Sequence, residues 1–401
     1  MIDARLSAFL GECQGLHSFS SESSASVLAT NGWARTVGGA NPYLSLFARN
    51  RTSREAIESD VASSLIQEFA SARGCTYLLP AEHFQVGIKC GQGFNAESAM
   101  RSAKSKLGVT MQEVEAIKEG ILRALENGPL DAAGLKEPLG SLYKNFGEAG
   151  KKIGQTTNLS LGLLALQSEA KIRRIPSDGR LDGQSYKYTL FQNAPAVDDS
   201  YPQADAFRDL ARMFWRWCGF ASMSHFQWFS GLGVKAAQSA VTSLSLVALG
   251  ESSLLGTPET VGNFNDFKSP TEPCYRLVSG LDSLFLLRRD LSLHIGEAQA
   301  GMDVLSQGKL ANLGSLNDLS THAIVDRGLI VGLWEYDFDA KEVVSVSFAR
   351  ESAELLEEIS RVETLIREEL GDARSFSLDS HKSRQPSIAL LHELKASLAE
   401  R

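Results

Sequence analysis

Residues 156–190 read TTNLSLGLLALQSEAKIRRIPSDGRLDGQSYKYTL, and inside this run the apolar period changes from helical to alternating. Leu159, Leu163 and Leu166 recur about one helical turn apart behind Thr156 and Thr157, either of which can cap a helix. Ile172 and Ile175, then Tyr186, Tyr188 and Leu190, alternate with Arg173, Arg174, Lys187 and Thr189 about the turn Pro176-Ser177-Asp178-Gly179. That pattern predicts a two-stranded hairpin. Upstream, Thr110 stands three residues before Glu113, the spacing of a capping box, and Val114, Ile117, Ile121, Leu122 and Leu125 follow as far as Asn127-Gly128-Pro129. A shorter helix is expected from Asp131, burying Leu135 and Leu139 and ending at Gly140. Three helices and a hairpin in this order describe a winged helix, a shape that sits on nucleic acid.

Charge supports the same reading. From 144 to 190 there are eight basic residues (Lys144, Lys151, Lys152, Lys171, Arg173, Arg174, Arg180, Lys187) and four acidic ones, whereas the whole chain carries −8. A positive stripe on an acidic protein suits contact with phosphates without general adhesion to polyanions. The alternative is a solvated hairpin with ordinary surface charges. The third helix offers Asn158, Ser160, Gln167 and Ser168 but no arginine for a guanine edge, so strong sequence-specific readout is not expected. On this reading Lys151, Lys152, Thr156, Thr157, Arg173, Arg174 and Arg180 contact the DNA, and alanine at Arg173 and Arg174 weakens DNA binding.

At 401 residues, with 43% hydrophobic and 22% charged residues, the chain suits several globular modules, and it has no apolar run long enough to cross a membrane. Met1–Leu10 contains Asp3 and Arg5 and does not read as a signal peptide. Cys13, Cys75, Cys90, Cys218 and Cys274 are scattered and odd in number, as expected for reduced thiols in a cytoplasmic protein. The seven histidines lack metal-ligand spacing, no phosphate loop or Gly-x-Ser-x-Gly elbow is present, and neither a metal nor a cofactor is expected.

The helical triplet recurs as an architecture. Residues 204–217, 222–229 and 234–244 read as three helices before the strand Leu246–Leu249; residues 24–80 read as a looser version, with helices from Ser24, around Leu44–Ala48 and from Ser53 to Phe69, then the strand Cys75–Leu79. Asn193–Gln203 reads as a linker, and Gly250–Pro273 as a long loop or elongated wing. Strands are expected at Leu284–Leu287, Ala323–Trp334 and Val343–Phe348, then an acidic helix Ala349–Leu370, a polar break at 375–385 and a last helix. The expected class is α+β: tandem winged-helix modules at 1–100, 101–195 and 196–280, and a small sheet with helices at 281–401.

At this point several segments resemble the AlkZ-like winged-helix DNA glycosylases. Ala72-Arg73-Gly74-Cys75-Thr76-Tyr77-Leu78-Leu79-Pro80-Ala81-Glu82 is similar to the family's Arg-Gly-Thr, strand and acidic-helix signature. Pro42-Tyr43-Leu44-Ser45-Leu46-Phe47-Ala48-Arg49, residues 125–139, residues 219–232, Asp282 with Arg288 and Arg289, and Val331-Gly332-Leu333-Trp334 match further segments in the family's order. The resemblance implies a C-shaped tandem winged-helix fold holding double-stranded DNA on a basic concave face, with Arg49 and Arg73 expected among the contacts and the chain expected to act as a monomer. It also implies hydrolysis of the bond between deoxyribose and an alkylated or bulky purine, through an oxocarbenium-like state. A DNA-binding or regulatory protein without catalysis is the alternative.

One departure bears on catalysis. The family carries a Gln-x-Gln or Gln-x-Asp pair just before the segment matching Pro42–Arg49, and here Gly32–Asn41 reads GWARTVGGAN, without glutamine or carboxylate. Arg35 would disfavour an adjacent cation but suits a phosphate or base edge. Gly38-Gly39 is either a close approach to phosphate or an ordinary turn. Asn41 offers an amide to hold water, and Glu68 a general base, against the plainer role of a solvated glutamate at a helix end. These three are the catalytic candidates, and without the glutamines little release of 7-methylguanine is expected while binding persists.

Overall fold

The computed structural model describes residues 3–192, 194–195, 197, 200–306, 308–348 and 351–399, a mixed α and β protein of helices and small antiparallel sheets. Helix Met111–Leu125 opens on the reciprocal capping box: Thr110 Oγ1 accepts from the Glu113 amide, and the Glu113 carboxylate accepts from the Thr110 amide at 2.9 Å. Lys144 also donates to that carboxylate, and its bond, with those from the Thr110 amide and hydroxyl, holds the Glu113 carboxyl down to about 2. Thr157 caps helix Asn158–Ser168 by accepting from the Ser160 amide. The leucines of the two helices and Ile172 close one apolar core beneath the hairpin Ile172–Pro176/Tyr186–Leu190, registered Ile172 to Leu190. Between the outer helices, Asp131 accepts from the Gly134 amide in a turn, so the expected second helix shortens to Lys136–Leu139; a further short helix, Gly147–Lys151, lies before Thr157.

A second run of helices, Gln203–Cys218, Met223–Ser230 and Val234–Val241, precedes the short pair Val247–Ala248/Leu255–Gly256. The stretch expected as a loop after Gly250 thus contains a strand, and also helix Pro258–Asp266, capped by Thr257. Of the expected linker, residues 193, 196, 198 and 199 lie outside the described residues, as do 349 and 350 at the expected start of the acidic helix.

Three other expectations change. The helix foreseen over Ser53–Phe69 ends at Ala62, because Ser64 turns left-handed at φ 61°, and Ile66–Ala70 becomes a strand paired with Thr76–Pro80. Leu284–Leu287 is not a strand; Asp282 accepts from the Leu284 amide and caps the helical turn Ser283–Leu286. Ala323–Trp334 folds back at Arg327-Gly328 into two strands of a four-stranded sheet, with Tyr275–Val278 and Glu342–Ser347 at its edges. Helix Ala353–Leu365 lays Leu355 and Val362 on this sheet, and helix His381–Ala399 packs beside it.

The apolar cores cross the expected segment limits. One joins Trp33 and Tyr77 to Trp217 and Phe229; another joins Tyr43 and Phe47 to Leu181, Trp334 and Leu355. Leu181, in the hairpin's connecting loop, is fully buried, and its amide donates to the Tyr43 hydroxyl at 2.9 Å. The N- and C-terminal parts meet at Arg49, whose guanidinium forks onto the Asp282 carboxylate at 2.8 and 2.7 Å, with 3% and 0% of the two side chains exposed. Its remaining donors reach the Gln14 and Ser45 carbonyls.

Removing one member of so buried a pair leaves an uncompensated charge. Asp282→Ala is expected to cost about 3–5 kcal/mol in urea unfolding. Thr110→Ala, which deletes a cap on an exposed turn, is expected to cost about 1 kcal/mol.

Candidate active site

Segments far apart in sequence converge on one cavity of about 250 Å³, bounded by Arg35, Arg73, Tyr77, Trp228, Arg289 and Asp318, with Leu281, Leu319 and Phe376 on its other side. Arg35 arrives on the two-residue strand Ala34–Arg35, paired with Leu78 and Tyr77; its Nη1 donates to the Thr76 carbonyl at 2.6 Å and its guanidinium lies 5.4 Å from the Tyr77 ring centre. Trp228 stands on helix Met223–Ser230. The Arg73 and Arg289 guanidiniums lie 3.4 and 4.3 Å from its ring centre.

Both arginines are delivered by strained backbone, φ 57° at Arg73 and 53° at Arg289. A left-handed non-glycine residue costs on the order of 1 kcal/mol, and such strain persists where surrounding structure imposes it, often at functional sites. The surroundings here are identifiable. Gly231, at φ 77°, closes the Trp228 helix so near Arg73 that a Cβ would stand 3.2 Å from the Arg73 Cα and 2.8 Å from the Phe94 ring. On the other flank Ser222 and His225 form a capping box, and His225 Nε2 reaches the Asp290 carboxylate at 3.4 Å. That contact holds the Asp290 carboxyl well below the usual carboxylate range and fixes the residue after Arg289 to the Trp228 helix. Arg289 Nε then donates to Asp318 at 2.6 Å. The cavity therefore offers three guanidiniums, one carboxylate and an aromatic wall, a combination suited to a phosphate-bearing ligand that develops positive charge elsewhere.

Of the three catalytic residues expected from sequence, Arg35 lines this cavity. Asn41 is buried behind it with its amide engaged, Nδ2 donating to the Arg35 carbonyl at 2.7 Å and Oδ1 accepting from Ser45. It positions Arg35 and does not line the cavity. Glu68 is neither solvated nor at a helix end: it lies on strand Ile66–Ala70, 1% exposed, 3.3 Å from Arg174 Nε, in a separate cavity. Gly39 serves close packing, since a Cβ there would meet the Ser375 carbonyl at 2.2 Å, and the Ala40 amide donates to the Arg374 carbonyl.

The expected DNA contacts divide. Arg49 is buried in its ion pair and unavailable to DNA. Arg73 lines the cavity. Arg173 donates to Gln67 Oε1 at 2.7 Å, Arg174 pairs with Glu68, and Arg180 holds Asp182 and the Leu370 carbonyl, so these three bind the hairpin to the body of the protein. Lys151 and Lys152 are exposed, Lys151 beside Glu148; Thr156 is exposed and Thr157 is the helix cap.

The AlkZ-like DNA glycosylase model matches residues 34–376. The chain belongs to the AlkZ-like DNA glycosylase family. It is accordingly a DNA glycosylase-like repair protein, and its family implies DNA binding. Among solved structures it is similar to the Streptomyces sahachiroi DNA glycosylase AlkZ, with a TM-score of 0.65 at 15% identity over 93% of this chain and 98% of that one. No curated protein matches it in sequence. Among the described residues no helix is long and apolar enough to cross a membrane, and no group of three or more His, Cys, Asp or Glu could hold a metal ion.

Trp228 and Arg289 lie in segments that the family resemblance picks out, yet nothing in their own pattern marks a site. Asp318 sits in a polar loop without motif, and its role becomes visible only through Arg289 and the shared cavity.

The buried environment of Glu68 also sets the outcome for Arg174. Its guanidinium approaches Glu68 at ion-pair distance, although neither carboxylate oxygen completes a hydrogen bond. Arg174→Ala is expected to lower stability by about 3 kcal/mol, the low end for a broken buried pair because a quarter of the arginine is exposed. The salt dependence of DNA binding, measured by titration at several ionic strengths, should stay unchanged.

Proposed function

We propose that this protein hydrolyses the N-glycosidic bond of alkylated purines in duplex DNA, at the cavity formed by Arg35, Arg73, Trp228, Arg289 and Asp318. The observation that carries the reading is convergence: the Arg73–Tyr77, Phe226–Leu232 and Asp282–Arg289 segments, picked out separately by their resemblance to the family, meet at this one cavity with Arg35, from the stretch where the family carries its glutamine pair. Alkylation at a ring nitrogen makes the purine a good leaving group. What remains is to hold the sugar and its phosphates, steady the developing oxocarbenium ion and place a water. In this reading Arg35, Arg73 and Arg289 take the flanking phosphates, and Asp318, oriented by Arg289, faces the cationic sugar and accepts a proton from the attacking water. Asp318 thus supplies a carboxylate where the family's paired glutamines are missing.

The helices and hairpins at 111–190 and 203–256 are read as winged-helix modules that lay the duplex across this cavity, within segments limited near residues 100, 195 and 280. Lys151, Lys152 and Lys187 are exposed and suited to its backbone.

The test is incubation with methylated duplex DNA, scored by chromatography of released 7-methylguanine and by strand scission at abasic sites. Wild type should release the base. Asp318→Ala should slow release about 10²–10³-fold, the usual loss of one preorganised polar group, without weakening DNA binding. Arg73→Ala should weaken binding and lower the salt slope by about one phosphate contact. Binding without any release would favour a non-catalytic protein, and full activity in Asp318→Ala would overturn the carboxylate's role.

A further inference from the structure

Next to the proposed active cavity, and sharing the wall Leu281, Leu319 and Phe376 with it, is a second cavity of about 380 Å³. Glu335 projects into its lining from strand Leu329–Asp337, and Arg384 from the last helix. Both residues are more than nine-tenths buried, yet Glu335 Oε2 and Arg384 Nε have no hydrogen-bond partner. The closest approach between them is 4.0 Å, too long for a hydrogen bond. The other guanidinium nitrogens are committed, Nη2 to Asp372 at 2.6 Å and Nη1 to the Tyr336 carbonyl at 3.3 Å. Buried polar atoms are nearly always satisfied, and two orphans on one cavity call for a polar occupant.

We propose that this cavity is a subsite for a free purine base, held by the Glu335 carboxyl and the Arg384 guanidinium, with the ring against Phe376. The inference rests on the glycosylase reading, which makes a purine the product released beside that wall. Three features favour this chemistry. The volume falls within the roughly 300–1,000 Å³ of small-molecule sites. Phe376 is 44% exposed at the junction of the two cavities, an aromatic face on which a base leaving the duplex can stack. Burial pushes the Glu335 carboxyl up to about 8, against the opposing pull of Arg384 and with support from Asp379 and Asp372. At neutral pH it is therefore a neutral acid, one donor beside one acceptor, which together with a guanidinium donor complements the alternating edge of a purine.

Binding of the free base, separate from turnover, tests the inference. Free 7-methylguanine and adenine are titrated into the full chain and followed by calorimetry and by ligand-observed NMR. Wild type should bind, and Glu335→Gln, which keeps a donor and an acceptor, should bind within a few-fold. Glu335→Leu should lose at least tenfold. Ser320→Trp, at an exposed rim position that leaves the core untouched, should lose as much even if Glu335→Leu folds poorly. Wild-type affinity should fall as pH rises through about 8, where the acid ionises, and that of Glu335→Gln should not. Absence of free-base binding to wild type at millimolar concentration, or equal binding in wild type, Glu335→Leu and Ser320→Trp, overturns the subsite and leaves water as the occupant. Base release from DNA without free-base binding would overturn the subsite alone. Free-base binding without release would sustain it and count against the hydrolysis.

Discussion

The forked ion pair between Arg49 and Asp282 is the contact on which the site depends. It joins the C-terminal end of helix Asn41–Phe47, which lies behind the cavity and holds Arg35, to the helical turn Ser283–Leu286, whose Leu286 lines the cavity. On one side Asn41, at the first position of its helix, holds the Arg35 carbonyl. On the other, Asp282 caps the turn that leads into Arg288, which is buried on the Phe220 and Cys218 carbonyls, and then into Arg289 in its left-handed conformation. Two arginines from opposite ends of the chain thereby share a cavity. A buried pair of this kind adds little net stability over an apolar substitute, and its value lies in the single geometry it permits.

The unit from Thr110 to Leu190 was legible because its signals are local: a capping box, leucines one turn apart and a change of period. Ile66–Ala70 was not, because its strand character comes from pairing with Thr76–Pro80 and not from its own pattern, in which Gln67 and Glu68 look exposed. Leu284–Leu287 misled for the converse reason. A short apolar run fits strand and buried helix equally, and the Asp282 cap decided it.

Charge was legible as a total and not as a direction. The basic excess around the hairpin is real, but Arg173, Arg174 and Arg180 turn toward Gln67, Glu68, Asp182 and Leu370. Apart from Asp182, two residues on from Arg180, those partners lie on other segments, and counting charges along one segment cannot reveal them. Candidate site residues were found where a family segment fell on the cavity, as at Arg35 and Arg73. Asp318, in contrast, needs the three-dimensional neighbour that gives it a purpose.

The buried tether between Leu181 and the Tyr43 hydroxyl has a consequence for how the chain is made. Its partners stand 138 residues apart. During synthesis the helix bearing Tyr43 emerges well before the loop that covers it, so its apolar face waits in the open. Contacts of such separation slow folding, since the loop must close before burial rewards it. A ribosome pausing between these two points would hold a sticky, unfinished core, and the core closes fully only when Trp334 and Leu355 follow.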